Sequence, residues 1–364
     1  MDQGSYNYSK LAETYKGFTA PGFEIKVDNK TLAPGKYHIP GVEVEISAGG
    51  TAGGCSFKIQ GQYDYENSKW VNDASKLIKP GAKLAVIGGY ETRKELFFGY
   101  VDEYALEFSS DGIPFISVNG LDGLGYLMNM CQPIYAGEKK PTEIVRTVMQ
   151  KSQSAGYAKS VTVGNLSGFE TPIIKEQVDD WRFLQMMAER YGATIFAVNG
   201  ELIFDKVITK TSPILTLTVG KSLRRFTKRI SLAHQVGKVE VFGRDVNQEA
   251  ISGSANKVTA GGKGKTAAEW VSGLKDAVLR ERSEYARTEK ECETLAQHRL
   301  NSIAMNFVSG EGECVGIPEL IPGRYLTIDG GDEQTNGSYF LTKVCHRFSE
   351  QGYITYFEVK GAKA

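Results

Sequence analysis

A glycine- and lysine-rich segment is the first place where the residue types could bind a ligand. Residues 261–266, Gly-Gly-Lys-Gly-Lys-Thr, are similar to a phosphate-binding loop, whose backbone N–H groups surround phosphate oxygens. That motif needs a glycine five positions before Gly264, where this chain has Thr259, and no buried apolar strand leads into the segment. The sequence therefore favours a flexible polar loop over a nucleotide site.

Histidine and cysteine offer a second possibility, a metal site. The four histidines are His38, His234, His298 and His346. Cys345 precedes His346 in a strand-like run, where neighbouring side chains point to opposite faces, so the two are poorly placed to share one metal ion. Cys314 lacks the spacing of a structural zinc site. We expect no metal ligands, buried cysteines and surface histidines.

Acidic residues give no clear acid–base pair. Asp179 and Asp180 are adjacent, and Asp179 has a structural explanation as the cap of a helix. The chain has no Gly-x-Ser-x-Gly, no His-Glu-x-x-His and no Cys/His pair in a recognisable catalytic context. The sequence therefore predicts that the protein is not an enzyme and has no catalytic residues and no cofactor.

A basic run surrounds Phe226. Its members are Lys221, Arg224, Arg225, Lys228 and Arg229. Such a run is typical of a nucleic-acid patch, but Lys plus Arg and Asp plus Glu both total 43, and nucleic-acid binders usually carry a basic excess. A solvated strand face, a subunit contact and the lining of a channel in a ring are the other interpretations.

Length and composition limit which elements can position these residues. A chain of 364 residues is long enough for two or three domains with their own cores. Its start lacks the basic and apolar regions of a signal peptide, and no apolar run approaches the roughly 20 residues that span a bilayer. Five scattered cysteines, an odd number, predict reduced thiols in a protein made in a cytoplasm.

A pattern that occurs twice organises the chain. Residues 80–89 and 322–331 both read P-G-x-x-L-x-[VI]-x-G-G, a turn followed by a strand that ends in two glycines. Tyr100-Val101 and Phe340-Leu341 then open corresponding strands. Each copy continues with Phe-Ser, Gly, Val and Gly, namely Phe108, Ser109, Gly112, Val118 and Gly120, and Phe348, Ser349, Gly352, Val359 and Gly361. Two matched blocks in the same order predict a duplicated β domain.

The residues between the two copies have a different sequence pattern, which predicts helices as well as strands. Pro141 begins a predicted helix, Asp179 caps a second that ends at Gly192, and Asn199-Gly200 joins two strands in a hairpin. Residues 250–266 read as a mobile polar loop, and a long helical stretch follows from Ala267. We therefore predict three domains: a first β domain with an N-terminal extension (1–128), a small α+β domain (129–207), and a second β domain (208–364) with a helical and loop insertion at about 250–306.

Several stretches resemble one known family. They are DWRFL at 180–184, AERYG at 188–192, NGELIF at 199–204, GIPELIPG at 316–323, GSYFLTKVCHRF at 337–348 and GYITYFEV at 352–359. They are similar to the late control D family, the baseplate hub proteins of contractile phage tails, and to the hub-like part of type VI secretion spike proteins. The resemblance is specific from Asp180 onward.

This resemblance implies a mainly β, α+β fold with two tail-tube-like β-barrel domains and smaller domains between them. It also implies a homotrimer whose six similar barrels match a six-fold tail tube, with a three-fold spike below. The implied partners are the tube protein, the central spike and other baseplate proteins, with DNA or tape measure passing through the lumen and no membrane insertion. The implied location is the tail baseplate of a phage or phage-like particle, after synthesis in the bacterial cytoplasm.

The predicted function is thus that of a structural hub subunit, in a phage, a bacteriocin or a secretion-type particle. The two hairpins, with Phe108 and Gly112 and with Phe348 and Gly352, are expected to line the pore or contact neighbours, as are Tyr356 and Val359. Ordinary core packing is the alternative for these residues. For the whole chain the alternatives are a monomeric carbohydrate- or receptor-binding β module and a cell-wall hydrolase fused to a hub, for which no spare domain remains.

Overall fold

A computed structural model describes residues 4–61, 63–108, 112–132, 134–135, 140–169, 173–175 and 178–364. The turn of the first predicted hairpin, residues 109–111 with Ser109, lies outside these ranges. The predicted class, mainly β within α+β, is confirmed, because long antiparallel strands dominate and the helices are few.

The first third of the chain is built mostly of strands. In order, it contains α1 (Tyr8–Thr14), β1 (Gly22–Val27), β2 (Lys30–Thr31), β3 (Val42–Ser47), β4 (Gly54–Gln60), β5 (Tyr63–Asp64), β6 (Lys69–Trp70), α2 (Ala74–Leu77), β7 (Lys83–Gly89), β8 (Arg93–Glu107), β9 (Phe115–Asp122) and α3 (Gly123–Leu127). Alternate residues of β4 are buried, as expected for a strand with one face on the core.

The middle of the chain holds two amphipathic helices and a hairpin. It contains β10 (Ile134–Tyr135), α4 (Pro141–Ser154), β11 (Ser160–Val163), β12 (Ile174–Lys175), α5 (Asp180–Tyr191), β13 (Thr194–Val198) and β14 (Glu201–Asp205). The predicted signals are confirmed: the Asp179 carboxylate accepts the Arg182 N–H at 2.7 Å, and Gly192 ends α5 in the left-handed region. Asn199 and Gly200 both have positive φ, as a two-residue hairpin turn requires.

The last part returns to strands. It contains a 3₁₀ turn (Val207–Thr209), β15 (Pro213–Thr218), β16 (Leu223–Ile230), β17 (Lys238–Arg244), β18 (Ala250–Ala255), α6 (Ala267–Trp270), a second 3₁₀ turn (Ser272–Asp276), β19 (Val278–Arg282), α7 (Glu289–Ala304), β20 (Val308–Val315), β21 (Tyr325–Asp329), β22 (Gly337–Ser349) and β23 (Gly352–Gly361). The prediction of a loop from residue 250 and a continuous helical stretch from Ala267 is wrong in part, because β18 and β19 pair with the two edges of β17. Arg280 to Arg282 carry charges that resemble a helix surface but lie on an exposed strand.

Thirteen of the described strands, from both ends of the chain, form one sheet. Its order is β16-β20-β23-β22-β3-β4-β9-β8-β7-β1-β2, with β21 attached to β22 and β15 attached to β21. The two predicted β domains are therefore joined directly, through the pairing of β22 with β3. Among the described strands this pairing runs as an open path.

The duplication predicted from the sequence is visible in the strand pairing. Leu84 and Leu326 occupy the same position of β7 and β21, the first strands of two three-stranded meanders. Gly81 donates its N–H to the Val101 carbonyl at 2.8 Å, and Gly323 donates to the Leu341 carbonyl at 2.9 Å. Each meander also has a β-bulge immediately after that residue, at positions 102 and 342. The same hydrogen bonds and the same bulge indicate one sheet plan used twice.

The register refines the alignment of the last strands. Gly120 lies opposite Val101, whereas Val359 lies opposite Leu341, so the structure equates Gly120 with Val359. The sequence pattern instead matches Val118 with Val359, two residues away, because it aligns the two strands by their glycines, Gly120 with Gly361.

The side chains form two cores. One lies under the large sheet and includes Leu84, Val86, Leu326 and Val344. The other packs α4 and α5 against α7 and the small sheet β18-β17-β19. The insertion thus completes the core of the α+β region, and β17 belongs to the small sheet. The three domain boundaries given above stay predictions.

Candidate assembly edges of the large sheet

The pairing between β22 and β3 shows how two copies of the sheet plan can be joined. Residues 343–348 pair antiparallel with residues 42–47, with Cys345 opposite Glu45 and Phe348 opposite Val42. We call this pairing the internal junction. Because strand residues alternate between faces, it has one charged face and one apolar face.

Two ion pairs cross the charged face of the internal junction. Lys343 Nζ lies 2.7 Å from a Glu45 carboxylate oxygen, and Arg347 Nε lies 2.7 Å from Glu43. These carboxylates hold the pKa of the lysine and the arginine above their usual values. All four side chains are partly exposed, so each pair is expected to add little to the stability of the fold.

The opposite face of the internal junction is buried. Val344, His346 and Phe348 of β22 are covered, and the Phe348 ring stacks on Tyr353 with centroids 3.9 Å apart. Tyr353 Oη lies 2.8 Å from Nδ1 of His346. Burial lowers the pKa of His346 to about 4, because a charged imidazole there would lose its hydration. The expectation of surface histidines is therefore wrong for His346.

Two of the strand edges that lack a neighbouring strand in the described part of the chain carry opposite charges. One is residues 102–107 of β8, which pair with β9 on one side only and which we call the acidic edge. The other is β16, Leu223–Ile230, which we call the basic edge. It pairs with β20 on one side, and on its other side Leu223 forms an isolated bridge to Val219 while residues 224–230 have no described neighbouring strand. The acidic edge contains Asp102, Glu103 and Glu107. The basic edge contains Arg224, Arg225, Lys228 and Arg229.

Both edges expose large apolar side chains. Leu106 is 45% exposed, Phe108 beyond it is 48% exposed, and Ile230 is 40% exposed. Unpaired backbone beside exposed apolar groups is a site where another strand binds readily. Sequence reasoning singled out the basic run and Phe108 but missed Glu103, Leu106 and Ile230. The alignment of the two repeats, which places Leu106 at the position of His346, is the signal that finds Leu106.

The six predicted interface residues lie in different surroundings. Phe108 packs on Tyr63 and Trp70, with ring centroids 4.8 and 5.6 Å apart, and Gly112 is exposed beyond the first hairpin turn. Gly352 has a φ of 105° at the start of β23.

The other three predicted interface residues lie on the second meander. Tyr356 is partly exposed, with the Arg347 guanidinium 4.9 Å from its ring centre. Phe348 and Val359 are buried within the chain, so core packing accounts for their side chains.

The segment similar to a phosphate-binding loop is hydrogen-bonded to Ala364 through its backbone. Lys265 donates its N–H to the Ala364 carbonyl at 2.9 Å, and Ala364 donates to the Lys265 carbonyl at 3.0 Å. Thr266 and Glu269 form a capping box at the start of α6. These contacts give the segment a structural role.

The cysteines and histidines lie in different surroundings. Cys345 and His346 point to opposite faces of β22, as expected. Cys131 is exposed, whereas the other four cysteines are buried, so the expectation of buried thiols is wrong at that position. Among the residues whose placement is described, no group of three or more potential ligands is arranged to hold a metal ion. Within the same residues, no helix has the length and apolar character required to traverse a bilayer.

Solved structures with the same fold come from phage tails and a secretion system. The 43 kDa tail protein of prophage MuSo2 from Shewanella oneidensis is 14% identical, with a TM-score of 0.69, and the match covers 94% of this chain and 99% of that one. A tail protein from Neisseria meningitidis is 13% identical, with a TM-score of 0.67 and coverage of 94% and 96%. The expectation of a tail-protein fold is confirmed.

A third structure links the fold to secretion. The Escherichia coli c3393 protein, described as a component of the type VI secretion system with structural similarity to T4 tail proteins gp27 and gp5, is 11% identical with a TM-score of 0.55. That match covers 93% of this chain and 76% of the other. No curated protein matches the sequence. A sequence-family match extends over residues 22–350, and the chain belongs to the family described as the Alg8 N-terminal domain.

Proposed function

We propose that this chain is a structural baseplate hub subunit of a contractile tail or injection machine, as its resemblance to late control D proteins implies. Three copies form a ring that adapts a six-fold tail tube to a three-fold spike. The observation that carries the proposal is the repeated sheet plan, with equivalent hydrogen bonds at Gly81 and Gly323 and equivalent bulges. Three chains with two copies each present six similar units.

The proposed work of the protein is binding, not catalysis. Its partners are the tube protein above, the spike below and other baseplate proteins, with DNA or tape measure passing through the lumen. Its location is the baseplate of a phage, bacteriocin or secretion-type particle. The open edges of the large sheet support this role, because a ring of sheets covers edges that one chain leaves unpaired.

Light scattering on the purified protein tests the ring. The expected mass is that of three chains, and negative-stain micrographs are expected to show a three-fold ring with a pseudo-six-fold rim. A single chain at all concentrations would contradict the hub and favour a carbohydrate- or receptor-binding module. Turnover of peptidoglycan would establish an enzyme instead.

The interface role of the two hairpins is part of the same proposal. Phe108, Gly112 and Tyr356 have exposed surface to offer a neighbour, and Gly352 shapes the second hairpin. For Phe348 and Val359 the proposal is limited to the backbone of their strands, because their side chains are covered. Tyr356→Asp is expected to weaken the trimer, and an unchanged trimer would remove Tyr356 from the interface.

A further inference from the structure

The two open edges correspond to the two strands of the internal junction. Glu103 and Lys343 each follow the shared bulge directly, so they are equivalent. Counting onward along both strands makes Phe108 equivalent to Phe348. The acidic edge of β8 is therefore the counterpart of the β22 edge that pairs with β3. In β22 that edge is covered, and in β8 it is open.

The basic edge corresponds to β3 by the same reasoning. β4 and β20 pair with β9 and β23, and equating Gly120 with Val359 equates Cys55 with Gly310. Val44 lies opposite Cys55, and Lys228 lies opposite Gly310, so Lys228 is the counterpart of Val44. Counting along the strands makes Arg229 the counterpart of Glu45 and Ile230 the counterpart of Ile46.

The counterparts can be paired in the register of the internal junction. There, Cys345 lies opposite Glu45, and Val344 lies opposite Ile46. Replacing each residue by its counterpart places Ala105 opposite Arg229 and Tyr104 opposite Ile230. Within one chain the acidic and basic edges are separated by six strands in the sheet order, so such a pairing joins two different copies.

The transferred register also brings oppositely charged residues together. The acidic residue now lies on the counterpart of β22 and the basic residue on the counterpart of β3, the reverse of the internal junction. Where Lys343 of β22 binds Glu45 of β3, the counterparts are Glu103 and Arg229. Arg229 contacts Glu311 on its own sheet at 2.9 Å, and a guanidinium has five N–H donors, which is enough to bind a second carboxylate. Glu107 would lie two residues along from both Arg225 and Arg229, on the same face.

The other faces of the two edges also match, except at Lys228, the counterpart of Val44, whose ammonium group lies over the Tyr339 ring of its own sheet. Phe348 and Ile46 are buried in the internal junction, whereas their counterparts Phe108 and Ile230 are 48% and 40% exposed. Leu106 lies between them on the same face as Phe108. Pairing of the edges would remove this apolar surface from water, as it does in the internal junction.

We propose that the acidic edge of one copy pairs antiparallel with the basic edge of a second copy, with Ala105 opposite Arg229 and Glu103 bound to Arg229. This inference rests on the proposed ring and gives it a residue-level contact. The reversed charges also discriminate between the two kinds of junction. An acidic edge that approached β3 would meet Glu43 and Glu45, and a basic edge that approached β22 would meet Lys343 and Arg347, so each edge is repelled from the wrong partner.

Engineered disulfides test the register. In a background with the exposed Cys131 replaced by serine, Ala105→Cys with Arg229→Cys is expected to give inter-chain cross-links on mild oxidation. The matched control, Ala105→Cys with Arg225→Cys, is out of register by four residues, or roughly 14 Å, at about 3.4 Å per residue. A disulfide tolerates Cα separations of only about 4.4–6.8 Å, so the control is expected to remain uncross-linked.

Charge reversal tests the recognition. Glu103→Arg is expected to weaken association about tenfold or more in sedimentation velocity, and Glu103→Arg with Arg229→Glu is expected to restore it. The exposed Lys290→Glu on α7 is the control and is expected to leave association unchanged. Equal weakening in the double variant and in Glu103→Arg would overturn the charge pairing.

The two proposals fail in different ways. A trimer without the in-register cross-link would overturn the strand pairing and leave the hub standing. The in-register cross-link in assemblies of another size would support the pairing and overturn the trimer. A monomer with no cross-link at any concentration would overturn both.

Discussion

The covered edge of β22 and the open edge of β8 belong to the same sheet plan but have different surroundings. Phe348 in β22 is buried against Tyr353, whereas Phe108 at the equivalent position is half exposed. His346 is buried, and its counterpart Leu106 is exposed. Equivalent positions of one sheet plan therefore differ in burial. β22 has β3 beside it and its Phe348 ring also packs against Phe23 and Tyr353, whereas residues 102–107 of β8 have no neighbouring strand on that side among the described strands. One repeat already has its neighbour within the chain, and the other leaves the position open.

The outermost strands of the two repeats differ as well. β1 pairs antiparallel with β7, whereas β15 pairs parallel with β21. The parallel arrangement follows the path of the chain, which arrives at β15 from the α+β region instead of from the N-terminal helix α1. The repeats thus share an inner set of strands and differ at their borders, where each connects to different segments.

The largest expected effect comes from truncating the two equivalent phenylalanines. Phe348→Ala is expected to lower the free energy of unfolding by about 3–5 kcal/mol, because it removes a buried ring and leaves a cavity. Phe108→Ala is expected to cost the isolated chain about 1 kcal/mol or less, since the ring is half exposed, and to weaken association instead. Urea unfolding of both variants, in parallel, measures the difference. Equal losses of stability would mean that the edges are not distinguished by their neighbours.

A smaller effect is expected from the buried histidine of the covered edge. The folded-state pKa of His346, about 4, lies below the ordinary value of 6.5, so in this range the unfolded chain binds the proton more tightly. The stability contributed by the neutral ring is therefore present above pH 6.5 and is lost as the pH falls towards 4, to a total of about 3 kcal/mol. Urea unfolding at pH 7 and pH 4 is expected to show this loss.

The control for this pH effect is His346→Gln, which cannot titrate there. Its free energy of unfolding is expected to depend less on pH over the same range, by about the same 3 kcal/mol. Identical pH dependence of the two proteins would show that other groups cause the acid sensitivity.

The sequence predicts the inner part of the fold well because local signals and packing agree there. The P-G-x-x-L blocks, the capped helix at Asp179 and the Asn199-Gly200 turn each form the predicted structure, since turn chemistry and periodicity determine them. The strand β19 was missed because its exposed charges have no clear alternation and its pairing with β17 is long-range. The two candidate edges were predicted only in part, since an open edge is defined by the absence of a neighbouring strand, which no local sequence pattern records.

The smallest expected effect concerns the ion pairs of the internal junction. Glu43→Gln removes the partner of Arg347, and because both side chains are partly exposed the free energy of unfolding is expected to fall by only about 0.5 kcal/mol, less at high salt. Urea unfolding at low and high ionic strength measures this, with Glu311→Gln at the basic edge as a comparable exposed pair. A loss above about 2 kcal/mol would mean that charge holds the repeats together. A small loss fits a different use of charge, in which buried Val344 and Phe348 supply the stability while the ion pairs determine which edge each strand accepts.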